Sequence, residues 1–101
     1  EHAVTTELAD GMACRVPDQS ALDIIFKGAA RVLAVTDDEV AAAMRLYFSA
    51  THSTAEGAGA APLAAALQEA ARNRGKRIAV VLSGGNVDLD QLPWITQPPA
   101  A

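Results

Sequence analysis

Ile78-Ala79-Val80-Val81-Leu82-Ser83-Gly84-Gly85-Asn86 decides how the rest of the chain is read. Its first five residues are an unbroken apolar run of strand length, which predicts a strand buried on both faces of a parallel sheet. The turn that follows leaves that strand at its carboxyl end, the edge at which open parallel α/β sheets bind ligands. Two glycines there let the backbone approach a flat or anionic group, and Ser83 adds a short donor and acceptor. Taken alone, Ser-Gly-Gly-Asn is more often a tight exit from a strand than a site.

Upstream of that strand, Pro62 is expected in the first turn of a helix that points Leu63, Leu67 and Ala70 inward and stops near Gly75. A break rich in Ser, Thr and Gly covers His52–Gly59. Thr36-Asp37-Asp38-Glu39 has the capping-box pattern and starts a helix to about Thr51, with Val40, Met44, Tyr47 and Phe48 on one face. Arg31–Val35 predicts a short strand. Before it, Asp18 or Ser20 caps a helix to about Lys27, apolar at Leu22, Ile25 and Phe26 and ended by Gly28. Glu1–Pro17 has no clear period beyond a short helical turn around Asp10. Residues 91–101 form a polar, Pro-rich tail around Trp94.

The expected fold is α/β: a partial three-layer unit, with two parallel strands flanked by helices in a right-handed crossover. Both strands would keep unpaired edges, so the unit reads as part of a larger domain.

Composition narrows the partners. Half of the 101 residues are apolar, but 23 are alanine and only four are aromatic. Alanine contributes little buried area, so the core is shallow. The net charge is −4, and the basic pair Lys76-Arg77 is no patch, which argues against nucleic acid. No apolar run approaches the roughly 20 residues of a membrane span, and no signal-peptide pattern opens the chain. Cys14 is the single cysteine and suits a reducing compartment, so a cytoplasmic location is expected. It has no neighbouring His, though Arg15 follows it, and reads as a packed residue rather than a nucleophile. His2 and His52 lack metal-ligand spacing, so no metal site is expected. A first residue other than Met points to processing, trimming or a fragment.

A second glycine motif, Glu56-Gly57-Ala58-Gly59-Ala60-Ala61, permits either close helix packing or approach to a bound group. It is no dinucleotide fingerprint, because no strand precedes it, and no P-loop, because no Gly-Lys-Ser/Thr follows. Thr5-Thr6-Glu7-Leu8-Ala9-Asp10-Gly11-Met12-Ala13 reads by itself as a turn with a capping Asp. Taken in order, Leu8–Gly11, Val35–Glu39, Glu56–Ala60 and Leu82–Asp88 are similar to the last third of the threonine dehydratase and serine racemase group of fold-type II pyridoxal-phosphate enzymes. The resemblance covers about residues 5–90. Many members have Glu-Pro where this chain has Glu56-Gly57, a departure that leaves the subgroup and its substrate open.

The resemblance implies a segment of a dehydratase acting on hydroxy amino acids by β-elimination, with pyridoxal phosphate as cofactor. It implies that Ser83 hydrogen-bonds the pyridine nitrogen and that Gly84, Gly85 and Asn86 shape the ring pocket. Glu56 and Gly57 would lie beside the ring. A neutral hydroxyl cannot protonate that nitrogen as an aspartate would, which suits elimination over transamination. The family's Schiff-base lysine, glycine-rich phosphate cradle and acidic cation segment are not matched, since Lys27 and Lys76 fall outside the lysine motif. No catalytic residue is therefore expected in this chain, and its partner is expected to be the missing N-terminal part or a second copy. A noncatalytic remnant serving assembly is the alternative, and a free-standing small-ligand binder built on the Ser83 loop is a third.

Overall fold

The computed structural model describes residues 3–97. His2 and the last four residues of the expected tail lie outside them. The described chain comprises a 3₁₀ turn at Asp10–Met12, helices α1 (Gln19–Gly28), α2 (Asp37–Thr51), α3 (Gly57–Gln68) and α4 (Ala70–Asn73), a second 3₁₀ turn at Leu89–Gln91, and α5 (Pro93–Thr96).

Local chemistry sets the helix ends. The Asp18 carboxylate, not Ser20, caps α1 by accepting from the Ser20 and Ala21 amides at 2.8 and 3.1 Å. Gly28 is the last residue inside α1 rather than a left-handed stop, and Ala29 beyond it is extended. The capping box at α2 is complete: Thr36 accepts from the Glu39 amide at 3.1 Å and Glu39 from the Thr36 amide at 2.9 Å. At its far end His52 turns left-handed (φ 58°) and its amide donates to Phe48 at 3.1 Å. The chain reverses after α4 at Gly75, whose φ of +76° only glycine adopts freely.

The core sits where α2 crosses α3, with α5 against the other side of α2. Val40 and Met44 fill it as expected, whereas Tyr47 is half-buried and Phe48 exposed. Two expectations for α3 change. The helix begins at Gly57, five residues before Pro62, and its inward face is Gly57, Ala60, Ala61 and Ala64. Leu67 and Ala70 face outward, because α2 approaches closely enough to admit only small residues. Ile95 is buried in the same core, and Arg45 donates to the Trp94 carbonyl at 3.0 Å, so the start of the expected tail is packed.

Neither expected parallel strand forms: among the described residues there is no strand. A run becomes a strand only when its amides and carbonyls enter a ladder, and 31–35 and 78–82 do not pair with each other. Nor is the second run buried on both faces. Val81 is 72% exposed and Val32 in the first run 82%, while only Val35 and Leu82 pack against the core. The α/β assignment rests on the family established below. Helix α1 packs against no other helix, and its Phe26 is 78% exposed. The accessible surface is 7393 Å² for a mass of 10.4 kDa. A folded monomer of that mass exposes about 5,400 Å², so roughly 2,000 Å² remains uncovered.

Candidate functional site

The four motifs separated in sequence meet at the N-terminus of α3, and Asp37 begins the chain of contacts. As the first residue of α2 it extends its carboxylate to the segment before the first 3₁₀ turn. Oδ1 accepts from the Thr6 hydroxyl, and Oδ2 from the Glu7 and Leu8 amides at 2.9 and 3.4 Å. Thr6 Oγ1 in turn accepts from the Ala9 amide at 3.0 Å. The Thr6 hydroxyl holds the Asp37 carboxyl below its ordinary value; partial burial opposes this, and the two amides assist it.

The turn built on Asp37 presses directly on α3. A Cβ on Gly57 would overlap the Leu8 carbonyl and lie 2.9 Å from the Ala9 Cα, so only glycine fits. The next layer is the Ser83 turn. The Glu56 amide donates to the Gly84 carbonyl at 3.1 Å, and a Cβ on Gly59 would stand 2.6 Å from that same carbonyl oxygen. The Glu56 carboxylate lies over Gly84, in the place a side chain there would take. Gly85 approaches Thr54 equally closely, since its Cβ would be 2.5 Å from the Thr54 carbonyl oxygen.

Beside this stack lies an open groove of about 570 Å³. Ser83 and Ala58 line it together with Pro62, Met12, Leu33 and Arg31. The groove is mostly apolar, and its polar side chains are Ser83 and Arg31. Among the described residues the Ser83 hydroxyl makes no hydrogen bond. Arg31 is a fixed cation: its guanidinium grips Glu69 through two hydrogen bonds of 2.5 and 2.8 Å. That bond raises the Arg31 pKa and lowers that of Glu69.

The structure thus brings Gly84 against Glu56 and Gly59, Gly85 against Thr54 and Gly57 against Leu8-Ala9, and it sets Ser83 with Ala58 at the groove. Asn86 follows in the same turn but is exposed, and its side chain makes no hydrogen bond among the described residues. Cys14 is exposed rather than packed, and no described cluster of His, Cys, Asp or Glu could hold a metal ion. Sequence reasoning missed the tie from Thr6 to Asp37 and the pair Arg31–Glu69. Each joins residues more than 30 positions apart, which no local pattern announces.

A family model for pyridoxal-phosphate-dependent enzymes matches residues 1–84. The chain belongs to that family. Among similar proteins are L-threonine ammonia-lyases of Thermotoga maritima, 35% identical over 87% of this chain, and of Geobacter sulfurreducens, 35% identical over 93%. The catabolic L-threonine dehydratase of Staphylococcus aureus is 31% identical over 96% of it. The chain spans 22%, 23% and 29% of the lengths of these relatives. The residues at the groove are chemically compatible with the family's cofactor. The unbonded Ser83 hydroxyl at the groove can meet a ring nitrogen, while Gly84 and Gly85 follow it in the turn without lining the groove. No helix among the described residues is long and apolar enough to cross a membrane.

Proposed function

We propose that this segment forms the pyridine-nitrogen wall of a pyridoxal-phosphate-dependent dehydratase acting by β-elimination on threonine- or serine-like amino acids. The observation that carries the reading is the Ser83 hydroxyl: it lines the groove, has no bond among the described residues, and sits on a turn fixed by Glu56 and Gly59. Ser83 would hold the ring nitrogen without protonating it, and Gly84 and Gly85 would let the ring approach the backbone. The Glu56 carboxylate, over Gly84, would stand beside the ring, with Gly57 beneath it and Asn86 at the outer edge. Bound pyridoxal phosphate supplies an electron sink, and a neutral nitrogen partner keeps that sink weak, which favours loss of a β-hydroxyl.

The uncovered area of roughly 2,000 Å² supports a large partner surface, since a standard interface buries about 800 Å² on each side. The exposed apolar faces of α1 and of the two extended segments supply it, and we assign it to the remainder of the enzyme or to a second copy. The catalytic lysine would come from that remainder, as neither Lys27 nor Lys76 lines the groove.

Ser83→Ala in the complete, cofactor-loaded enzyme tests the reading. Loss of one hydrogen bond to a buried ring nitrogen costs about 1–3 kcal/mol, so elimination turnover falls while the cofactor stays bound. Wild-type turnover in the alanine variant would return the segment to a noncatalytic, assembly role.

A further inference from the structure

We propose that Asp37 is a positioning residue for the Ser83 turn, acting through Leu8-Ala9 and then Glu56-Gly57. Its functional meaning rests on the cofactor reading above, but the geometry stands by itself. Asp37 lies within the capping-box stretch Thr36–Glu39. In the structure the capping is complete without it, because Thr36 and Glu39 satisfy each other. Its carboxylate is committed elsewhere: both oxygens accept hydrogen bonds from residues 6–8.

Gln91 also donates to the Glu7 carbonyl at 3.5 Å, a longer tie than those to Asp37, and what these residues press on is the base of the site. The Leu8 carbonyl and Ala9 Cα fill the space where Gly57 would carry a Cβ. The next residue back, Glu56, donates its amide to the Gly84 carbonyl at 3.1 Å and lays its carboxylate over Gly84. Gly59, one turn along the same helix end, abuts that carbonyl as well. Apart from the Asp37 carboxylate at the start and the Glu56 carboxylate over Gly84, the contacts of this series are between backbone atoms. A backbone contact across glycine has no rotamers with which to absorb a displacement. A shift of the turn at 6–9 is therefore passed to Glu56 and Ser83 rather than lost between them.

Asparagine at 37 keeps the size and one acceptor but cannot accept from the Glu7 and Leu8 amides as well as from Thr6. Amide hydrogen exchange in the assembled enzyme containing this segment reads the outcome. In Asp37→Asn the Glu56 amide is expected to exchange at least about tenfold faster, the loss corresponding to one charge-assisted hydrogen bond. The Met44 amide, in the middle of α2, keeps its rate. Thr6→Val repeats the effect, and Thr6→Ser, which retains the hydroxyl, restores the wild-type rate. In the pyridoxal-phosphate-loaded enzyme, cofactor absorbance shifts in Asp37→Asn in the same direction as in Ser83→Ala. Faster exchange at Glu56 and Met44 alike would reduce Asp37 to a general stabiliser, and an unchanged Glu56 amide would remove its reach altogether. A spectrum that responds to Ser83→Ala but not to Asp37→Asn overturns the positioning role and spares the cofactor reading. A spectrum indifferent to Ser83→Ala overturns both.

Discussion

Gly59 and Gly84 face each other across the site, and they are expected to respond differently to the same added methyl. A Cβ at Gly59 meets the Gly84 backbone, which cannot move without carrying the Ser83 turn with it. Overpacking of this kind costs about 1–3 kcal/mol, more than the gain of up to about 1 kcal/mol from placing alanine in a helix. At Gly84 the obstacle is the end of the Glu56 side chain, which can swing aside. Gly59→Ala therefore lowers the melting temperature, while Gly84→Ala leaves it nearly unchanged and displaces the carboxylate. Equal melting temperatures for the two variants would show that the turn is looser than drawn. Both glycines were visible in the sequence as motif residues. What the sequence did not carry was which neighbour each one admits, because that depends on contacts 25 residues away along the chain.

At the scale of elements, α2 was readable because its start is encoded locally in Thr36 and Glu39. The face of α3 was not. Leu67 looks like core by periodicity yet is exposed, while Leu63 packs at the edge of a core whose fully buried residues on this helix are alanine and glycine. The strands failed for a different reason, since apolar, β-branched residues state a preference and only a neighbour supplies the ladder. The start of α2 also has a testable acid response. Asp37 lies below its ordinary value of 3.8, chiefly through the Thr6 hydroxyl, so the folded state gives up this proton more readily than the unfolded one. Its contribution is complete above 3.8 and is lost as pH falls from there through the lower folded value. Thermal melts between neutral pH and pH 3 are expected to fall more steeply below 3.8 for the wild type than for Asp37→Asn. Parallel curves would mean that the carboxylate contributes nothing to folding.

For the whole molecule, the surplus surface sets the expectation. With Phe26, Val32 and Val81 all largely in water, the isolated chain should not persist as a compact monomer. Light scattering at micromolar concentration is expected to report self-association, reversed by adding the remainder of the enzyme. A monodisperse monomer with cooperative unfolding would show instead a self-sufficient domain. The expectation of a partner comes from the two apolar runs, each left with an unpaired edge. The amount of uncovered surface could not be read there, because it depends on how little α1 buries.

The alanine and glycine face between α2 and α3 has a thermodynamic side of its own. Ordering a buried leucine costs about 0.5–1 kcal/mol of rotamer entropy, and a methionine about twice that, whereas alanine and glycine have no rotamers to lose. Ala41, Ala43, Ala60, Ala61 and Ala64 are therefore immobilised at no side-chain cost. The face gives up hydrophobic gain by being small and recovers part of it by having nothing to freeze. The turn at Ser83 thus rests on a helix pair whose buried contacts ask almost no side-chain ordering, although the chain around it is thinly covered.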